Sequence, residues 1–254
     1  MITYEYPFNE RIRILLRLES LFEKVSYFSR QHGAIEHHSA LRALFEILDV
    51  VGRSDLKMDM LQELERQRQV LLGFRSNPEI SDTALSGTLY DIEQASAALL
   101  ALNGKFGQAL RDNDWLMSVK SRTAIPGGLC EFDLPSYHFW LHQNLKTRQK
   151  ALEGWIKPMT PVLNALSIIL RILRSTQQPE RLRAERGQYQ RMLGGKGVVA
   201  QMARITLFSD ECIIPEVSAN RFAFNIRFSC LPGLDSKARA HERDVEFELT
   251  FCNL

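Results

Sequence analysis

The chain has 254 residues, of which 45% are hydrophobic and 24% charged, and its 32 basic and 30 acidic side chains give a formal net charge of +2. This composition is typical of a folded globular protein and excludes disordered, collagen-like and small disulfide-rich chains. The near-neutral charge excludes a histone-like nucleic-acid binder, whose affinity depends on a large cationic excess. The charge is uneven, however, because residues 144–198 carry 11 basic and 3 acidic side chains, a net of +8. Nucleic-acid binding through this basic segment is therefore the alternative function.

The N-terminus, the apolar runs and the cysteines all indicate a cytoplasmic protein. Residues 1–7 lack the basic stretch and apolar core of a secretory signal. The longest apolar run, at 165–173, is interrupted by Arg171 and falls short of the roughly 18 residues that span a bilayer, so we expect no membrane partner. The four cysteines form no C-x-x-C pair, and in a reducing compartment they are expected to be small buried hydrophobes.

Apolar residues recur at helical spacing through the first two thirds of the chain. Asn9 is suited to cap the first helix, in which Ile12, Leu15 and Leu18 lie on one face. The pattern predicts about seven to nine helices. The clearest cover residues 9–30, 36–52, 54–74, 81–99, 112–123, the segment from Pro135, and 160–175.

After residue 198 the hydrophobic period changes to two, which is typical of half-buried strands. The runs 222–228 and 245–251 are suited to pair as antiparallel neighbours, with Arg227 near Glu246 or Glu248. A third strand is predicted at 203–208. Because two strands alone are marginal, the alternating segment 2–6 is expected to join the same sheet.

The predicted fold class is α+β, with a mainly α-helical domain beside a small antiparallel β-sheet domain. We expect the helical domain to cover residues 8–176, and the discontinuous β domain to cover 1–7 and 198–254. Residues 177–197 are polar, rich in arginine and glycine, and predict a flexible linker.

No motif predicts an enzyme. His138 and His142 lie four residues apart, downstream of Cys130 and Asp133, but this spacing lacks the second paired motif of a metal site. Residues 194–197 supply a lysine without the upstream glycine and following hydroxyl of a phosphate-binding loop. The sequence therefore predicts a binding protein without catalytic residues, metal or cofactor.

Clustered basic side chains are the best candidates for binding. Arg13 and Arg17 are four apart on one face of the first helix, and Arg111, Lys120 and Arg122 lie near a Pro-Gly-Gly turn. Each is open to two interpretations, a solvated helix face or a cationic groove that receives acidic groups.

Several segments closely resemble the ZapD family of bacterial cell-division proteins. The most specific is 125–142, which reads IPGGLCEFDLPSYHFWLH. The others are residues 4–13, 16–19, 48–50, 63–67, 221–222 and 226–228.

The resemblance implies a cytoplasmic, dimeric, non-enzymatic protein that acts at the division ring at midcell. It implies binding to the C-terminal tail of the tubulin-like protein FtsZ, cross-linking of FtsZ filaments, and no nucleic-acid or membrane partner. Trp115 or Trp140 would bury apolar side chains of the tail, although Trp140 is equally suited to a core position. By position, the resemblance assigns tail contacts to Arg17 and His138, with Arg13, Arg111, Lys120 and Arg122 in support.

Overall fold

Helices occupy the middle of the chain and strands its two ends, in a computed structural model that describes residues 1–52, 55–76, 80–175, 177–193, 200–208, 212–220, 222–231, 233, 235 and 237–253. The predicted α+β class is confirmed. One structural unit comprises Met1–Arg13 and Arg171–Leu254, and the other comprises Ile14–Leu170. These boundaries fall inside the first and last helices, whereas the sequence analysis placed domain limits at the helix ends.

Nine α-helices lie within the described residues, in agreement with the predicted seven to nine. Short 3-10 turns follow the third helix at Phe74–Ser76 and the eighth at Lys157–Met159. Ser54, which begins the third predicted helix, lies outside the described residues. The helices are α1 (Glu10–Ser29), α2 (Ala34–Val51), α3 (Leu56–Gly73), α4 (Asp82–Leu100), α5 (Gln108–Arg111), α6 (Asp114–Thr123), α7 (Pro135–Leu141), α8 (Leu145–Ile156) and α9 (Thr160–Arg174).

Helix starts and buried faces follow from the sequence. The Asn9 side-chain oxygen accepts a hydrogen bond from the Ile12 amide at 2.9 Å, so the predicted cap of α1 is confirmed. In α2, the apolar positions Leu41, Leu44 and Leu48 are almost fully buried. Burying each such side chain contributes about 1.5–3 kcal/mol, which is why this face of α2 forms the centre of the helical unit.

The strands form two four-stranded antiparallel sheets. The first has the order β1 (Ile2–Pro7), β4 (Met202–Leu207), β8 (Val245–Cys252), β2 (Glu180–Ala184). The second has the order β3 (Gln188–Met192), β6 (Ala223–Cys230), β5 (Ile213–Ala219), and β7 (Arg239–Ala240) also pairs with β6. The predicted N-terminal strand and the strand near 203–208 are thus confirmed, and they pair with each other.

The predicted pairing of the two most regular strands is wrong. β6 and β8 belong to different sheets, and their inward side chains meet in one core, where the Phe228 and Phe247 rings lie 5.2 Å apart. Arg227 is consequently aligned with Gln188 and Glu216, not with a β8 glutamate. Alternation identifies the buried face of a strand, but two inward faces of a sandwich share that pattern without being hydrogen-bonded neighbours.

The structure also differs from the predicted linker at 177–197. Residues 180–192 form β2 and β3, joined by a turn at Arg186 and Gly187, whose φ angles are 47° and 70°. Left-handed conformation at both positions is typical of a tight hairpin turn. The polar composition of both strands, including the exposed Arg181 and Arg183 of β2, concealed the period of two. Residues 194–197 lie outside the described residues.

One helical stretch, Leu145–Arg174, meets the length and composition of a membrane-spanning helix. The sequence analysis considered only the apolar run near 165–173 and did not identify it. Of its most apolar 18-residue window, 44% is buried inside the protein. The core helix of a soluble protein meets the same criterion, so the stretch is a weak indication of a membrane span.

Candidate partner-binding surface

The Pro-Gly-Gly motif forms a tight turn at the start of the loop between α6 and α7. The Gly128 amide donates to the Ile125 carbonyl at 2.9 Å, with Pro126 and Gly127 between them, and Gly127 has a φ of 72°. Proline followed by a left-handed glycine is the sequence signature of a type II turn. A Cβ on Gly128 would lie 2.8 Å from the Arg122 carbonyl oxygen, so this position also requires glycine. The loop is therefore held in one conformation close to the end of α6.

Helix α7 presents an aromatic face to the core and a second face to solvent. Tyr137 and Trp140 are buried, whereas His138 and Phe139 are exposed, Phe139 by 67%. The Trp115 and Trp155 rings stack at 5.4 Å, and Trp115 also packs against the Tyr137 and Trp140 rings. Trp140 is only 8% exposed, so it is a core residue rather than a surface for a partner.

Exposed aromatic and cationic side chains lie on this loop and on the two helices that flank it. Phe132 is 78% exposed, and the next residue, Asp133, lies 3.7 Å from the Arg122 guanidinium. His138 begins the turn of α7 that also carries Phe139. Phe132 precedes the partner of Arg122 in the chain, and Phe139 follows His138, so this region combines exposed apolar area with cationic and imidazole groups. Such a composition is suited to a peptide with acidic and apolar side chains.

Arg111 and Lys120 come together on the last turn of α2. The Arg111 Nη2 donates to the Leu48 carbonyl at 2.9 Å, and the Lys120 Nζ lies 2.7 Å from the Asp49 carboxylate. A cation at a helix C-terminus is stabilised by the helix dipole, and Arg111 gives the Leu48 carbonyl a second donor beside the Gly52 amide. These two side chains therefore stabilise the end of α2, a structural role that their sequence positions did not reveal.

Arg13 and Arg17 are exposed on α1, away in sequence from the loop. Arg13 forms an ion pair with Glu10 at 3.3 Å, one helical turn before it. The structural division of the chain falls between them, since Arg13 belongs to the unit that contains the sheets and Arg17 to the helical unit. Their proposed tail contacts remain predictions.

A pocket of roughly 370 Å³ lies between α2 and the loop. Its walls include Ile125, Pro126 and Leu129 from the loop and the side chains of His38 and Arg42 from α2. His38 Nδ1 is hydrogen-bonded to the Tyr137 hydroxyl at 2.6 Å. Burial is the main cause that lowers the pKa of His38, with the Arg42 charge in addition, and burial raises the pKa of Tyr137. His38 is therefore neutral near pH 7.

The sequence analysis did not single out Arg42, Phe132 or Phe139 as binding residues. Phe139 lies out of phase with Tyr137 and Trp140 on the same helix, which would have indicated an outward aromatic side chain. Arg42 lies opposite the Leu41–Leu44–Leu48 face of α2 in the same way. In both cases, the position of the residue relative to the apolar face of its helix indicated that its side chain is exposed.

The His138 and His142 rings lie in contact at a tilt of 36°, with centroids 4.2 Å apart, and His142 Nδ1 hydrogen-bonds the His138 carbonyl oxygen at 2.8 Å. Over the described part of the chain, no group of three or more His, Cys, Asp or Glu side chains is placed to hold a metal ion.

The fold pairs several of the basic side chains in the segment 144–198 with acidic ones. Arg148 is buried, and within the described residues four other arginines of the segment form ion pairs. Paired charges attract phosphate groups less strongly than free ones, so these ion pairs reduce the cationic excess that motivated the nucleic-acid alternative. The pairs are Arg174–Glu5 at 2.7 Å, Arg181–Glu248 at 3.2 Å, Arg183–Asp244 at 2.5 Å and Arg191–Glu180 at 2.5 Å.

Comparison with known proteins identifies similar chains along the whole length. The model of the ZapD family, described as a cell division protein, matches residues 16–227. Over 254 residues, the chain is 65% identical to the cell division protein ZapD of Dechloromonas aromatica and 56% identical to that of Azoarcus sp., with all of both proteins covered in each case. It is 55% identical to the ZapD of Aromatoleum aromaticum, covering 98% of that protein.

Proposed function

Because the chain belongs to the ZapD family of cell division proteins, we propose that it binds the C-terminal tail of FtsZ and cross-links FtsZ filaments. It acts in the cytoplasm at midcell, as a non-enzymatic homodimer that promotes assembly and stability of the division ring. The cell division role is that of the family, whereas FtsZ as the partner and cross-linking as the mechanism are proposed for this chain.

The observation that carries the proposal is the exposed surface around the loop between α6 and α7. Phe132 and Phe139 supply apolar area, while Arg122 and His138 supply hydrogen-bond donors for acidic groups. Arginine binds carboxylates through charge-assisted hydrogen bonds, and aromatic side chains dominate the binding energy of many interfaces. A flexible tail with acidic and apolar residues fits this combination better than a small polar ligand does.

Cross-linking follows from symmetry. A two-fold dimer presents two equivalent surfaces, and each surface binds the tail of a different filament. Filaments carry many tails, so weak individual contacts add along a bundle and hold it together. Affinity at one site is therefore not required to be high.

Co-sedimentation with polymerised FtsZ tests the proposal. We expect the chain to pellet with intact FtsZ and to convert single filaments into bundles visible by electron microscopy. Filaments of FtsZ that lack the C-terminal tail are the matched control, since they polymerise without presenting the ligand. Equal pelleting with both forms of FtsZ would contradict tail binding, and pelleting without bundles would contradict cross-linking.

A further inference from the structure

The pocket between α2 and the loop has the size and the walls to hold one apolar side chain. Ile125, Pro126 and Leu129 line one side of its roughly 370 Å³. Ile125 is half exposed and Leu129 is partly exposed, so both have apolar area that a ligand would bury. The loop turns that hold these residues are closed by backbone hydrogen bonds, including that of the Cys130 amide to the Gly127 carbonyl at 3.1 Å. The pocket is thus preformed, which lowers the entropic cost of binding.

Arg42 places a positive charge at this pocket. Its side chain is exposed, and within the described residues its guanidinium has neither a hydrogen bond nor an ion pair. This distinguishes it from Arg111, Lys120 and Arg122, whose charges face a carbonyl or a carboxylate of the protein. An unpaired guanidinium with fixed neighbours is well suited to bind a carboxylate.

The histidine in the pocket wall, His38, adds no competing charge. His38 uses Nδ1 in its bond to the Tyr137 hydroxyl, and its lowered pKa keeps the ring neutral near pH 7. Tyr137 is itself buried, which fixes the position of His38. Arg42 therefore sets the electrostatic preference of the pocket, and that preference is for an anion.

We propose that this pocket is a binding subsite for an apolar side chain of a partner peptide. Arg42 forms an ion pair with a carboxylate that lies close to that side chain in the peptide. The occupant is an acidic, apolar peptide segment, and the inference rests on the proposed binding of the FtsZ tail. Ile125 and Leu129 contact the apolar side chain of the tail. The loop therefore binds the tail with two of its sides, the side that lines the pocket and the side that carries Phe132. The complementary charge of Arg42 selects such a segment over a basic one.

Fluorescence anisotropy with a labelled peptide of the cognate FtsZ tail measures the contribution of Arg42. We expect Arg42→Glu to weaken peptide binding about tenfold or more, because the substitution replaces a favourable charge pair by a repulsive one. Arg75→Glu is the matched control, since Arg75 is an exposed arginine of the same unit that does not line the pocket, and it should change the affinity less than about twofold.

Protection of Cys130 from alkylation provides a second measurement that does not depend on the Arg42 variant. Cys130 lines the pocket and is partly exposed. In a protein with Cys212→Ser and Cys230→Ser, mass spectrometry follows the reaction of Cys130 with N-ethylmaleimide. Saturating peptide should abolish most of this alkylation, because the bound side chain covers the pocket.

The outcomes separate the subsite from the proposed function. Peptide binding by the unmodified protein, lost in Arg42→Glu but not in Arg75→Glu and accompanied by Cys130 protection, supports the subsite. Peptide binding that is insensitive to Arg42→Glu and leaves Cys130 reactive overturns the subsite while tail binding stands. If the unmodified protein does not bind the peptide, the proposed function fails and the subsite fails with it.

Discussion

The Arg148 Nε donates a hydrogen bond to the His37 Nδ1 at 3.0 Å, and both side chains are buried. The His37 Nε2 faces the Gln31 carbonyl at 2.9 Å and must donate to it, so His37 is neutral with its proton on Nε2. Other Arg148 nitrogens donate to carbonyls of His32 and Gln143. One buried arginine therefore joins the α1–α2 connection to the α7–α8 connection, next to the helix that carries His138.

Replacing Arg148 should destabilise the helical unit. Arg148→Met would leave the buried His37 Nδ1 and several partly buried carbonyls without this donor, and we expect a loss of about 3 kcal/mol in the free energy of unfolding. Urea unfolding followed by circular dichroism measures the change. Lys150→Met on the same helix is the control, because Lys150 is exposed, and it should stay within about 0.5 kcal/mol of the unmodified protein. Equal effects of the two substitutions would contradict the structural role.

The same contact predicts loss of stability in mild acid. Burial is the main cause that lowers the pKa of His37 below its ordinary 6.5, and the Arg148 charge adds to it. Well above pH 6.5 the His37 ring is neutral in both the folded and the unfolded chain, so its protonation does not reduce the free energy of unfolding there. As the pH falls below that value the unfolded chain binds the proton first, so the free energy of unfolding decreases.

Urea unfolding at several values between about pH 7.5 and pH 5 tests this dependence. In His37→Gln the decrease should be smaller, because one of the residues that takes up a proton on unfolding is gone. His38, whose pKa is also lowered, still takes up a proton on unfolding, so part of the pH dependence remains in this variant. A pH dependence identical to that of the unmodified protein would show that His37 does not contribute.

Arg111 and Arg122 should respond differently to removal. Arg111→Ala removes the side-chain donor of the Leu48 carbonyl, which keeps its bond to the Gly52 amide, and should cost about 1 kcal/mol of stability. Arg122→Ala removes a half-exposed ion pair of 3.7 Å, so stability should change by less than about 0.5 kcal/mol while pelleting with FtsZ decreases. Thermal unfolding and co-sedimentation together distinguish the two. The reverse pattern would assign binding to Arg111 and a structural role to Arg122.

The exposed aromatics should affect binding and not folding. We expect Phe132→Ala with Phe139→Ala to weaken tail binding by about 1–3 kcal/mol, because the ligand then loses apolar contacts. The melting temperature should hardly change, since both side chains are mostly exposed. Tyr27→Ala with Tyr90→Ala, two exposed aromatics elsewhere in the helical unit, is the control for lost aromatic area. Unchanged pelleting of the phenylalanine variant would remove this surface from the proposed site.

Arg17 tests the contact assigned by family resemblance. Arg17→Glu should weaken pelleting with FtsZ several-fold and leave the melting temperature nearly unchanged, because a charge at an exposed helix position contributes little to folding. Lys24→Glu, also exposed on α1, provides the charge-matched comparison. A large loss of stability in Arg17→Glu alone would mean that Arg17 has a structural role.

Much of the fold was predictable because hydrophobic period reports which side of an element is buried. The period located α1 and α2 and the strands β1 and β4. It also placed Phe228 and Phe247 inside, but it did not reveal that they face each other from different sheets. The strands β2 and β3 were missed because arginine and glutamine dominate the local composition.

The site was predicted less completely, because a basic residue in a sequence carries no information about its partner. Lys120 and Arg122 lie two residues apart on α6, yet one pairs with Asp49 of α2 and the other with Asp133 of the loop. Arg42 was not singled out, although its position on α2 already indicated exposure. Only the folded chain reveals that it faces a pocket formed by residues more than 80 positions away.

The sequence by itself determined the α+β class, most of the helices, the strands β1, β4, β6 and β8, a turn at Pro126–Gly127 and the ZapD family. These features depend on local backbone preference, hydrophobic period and motif, which are properties of neighbouring residues. Tertiary structure decided which strands share a sheet, which arginines are paired, and that Trp140 is buried while Phe139 is exposed. Those outcomes depend on contacts between distant segments, and such contacts form only when the chain folds.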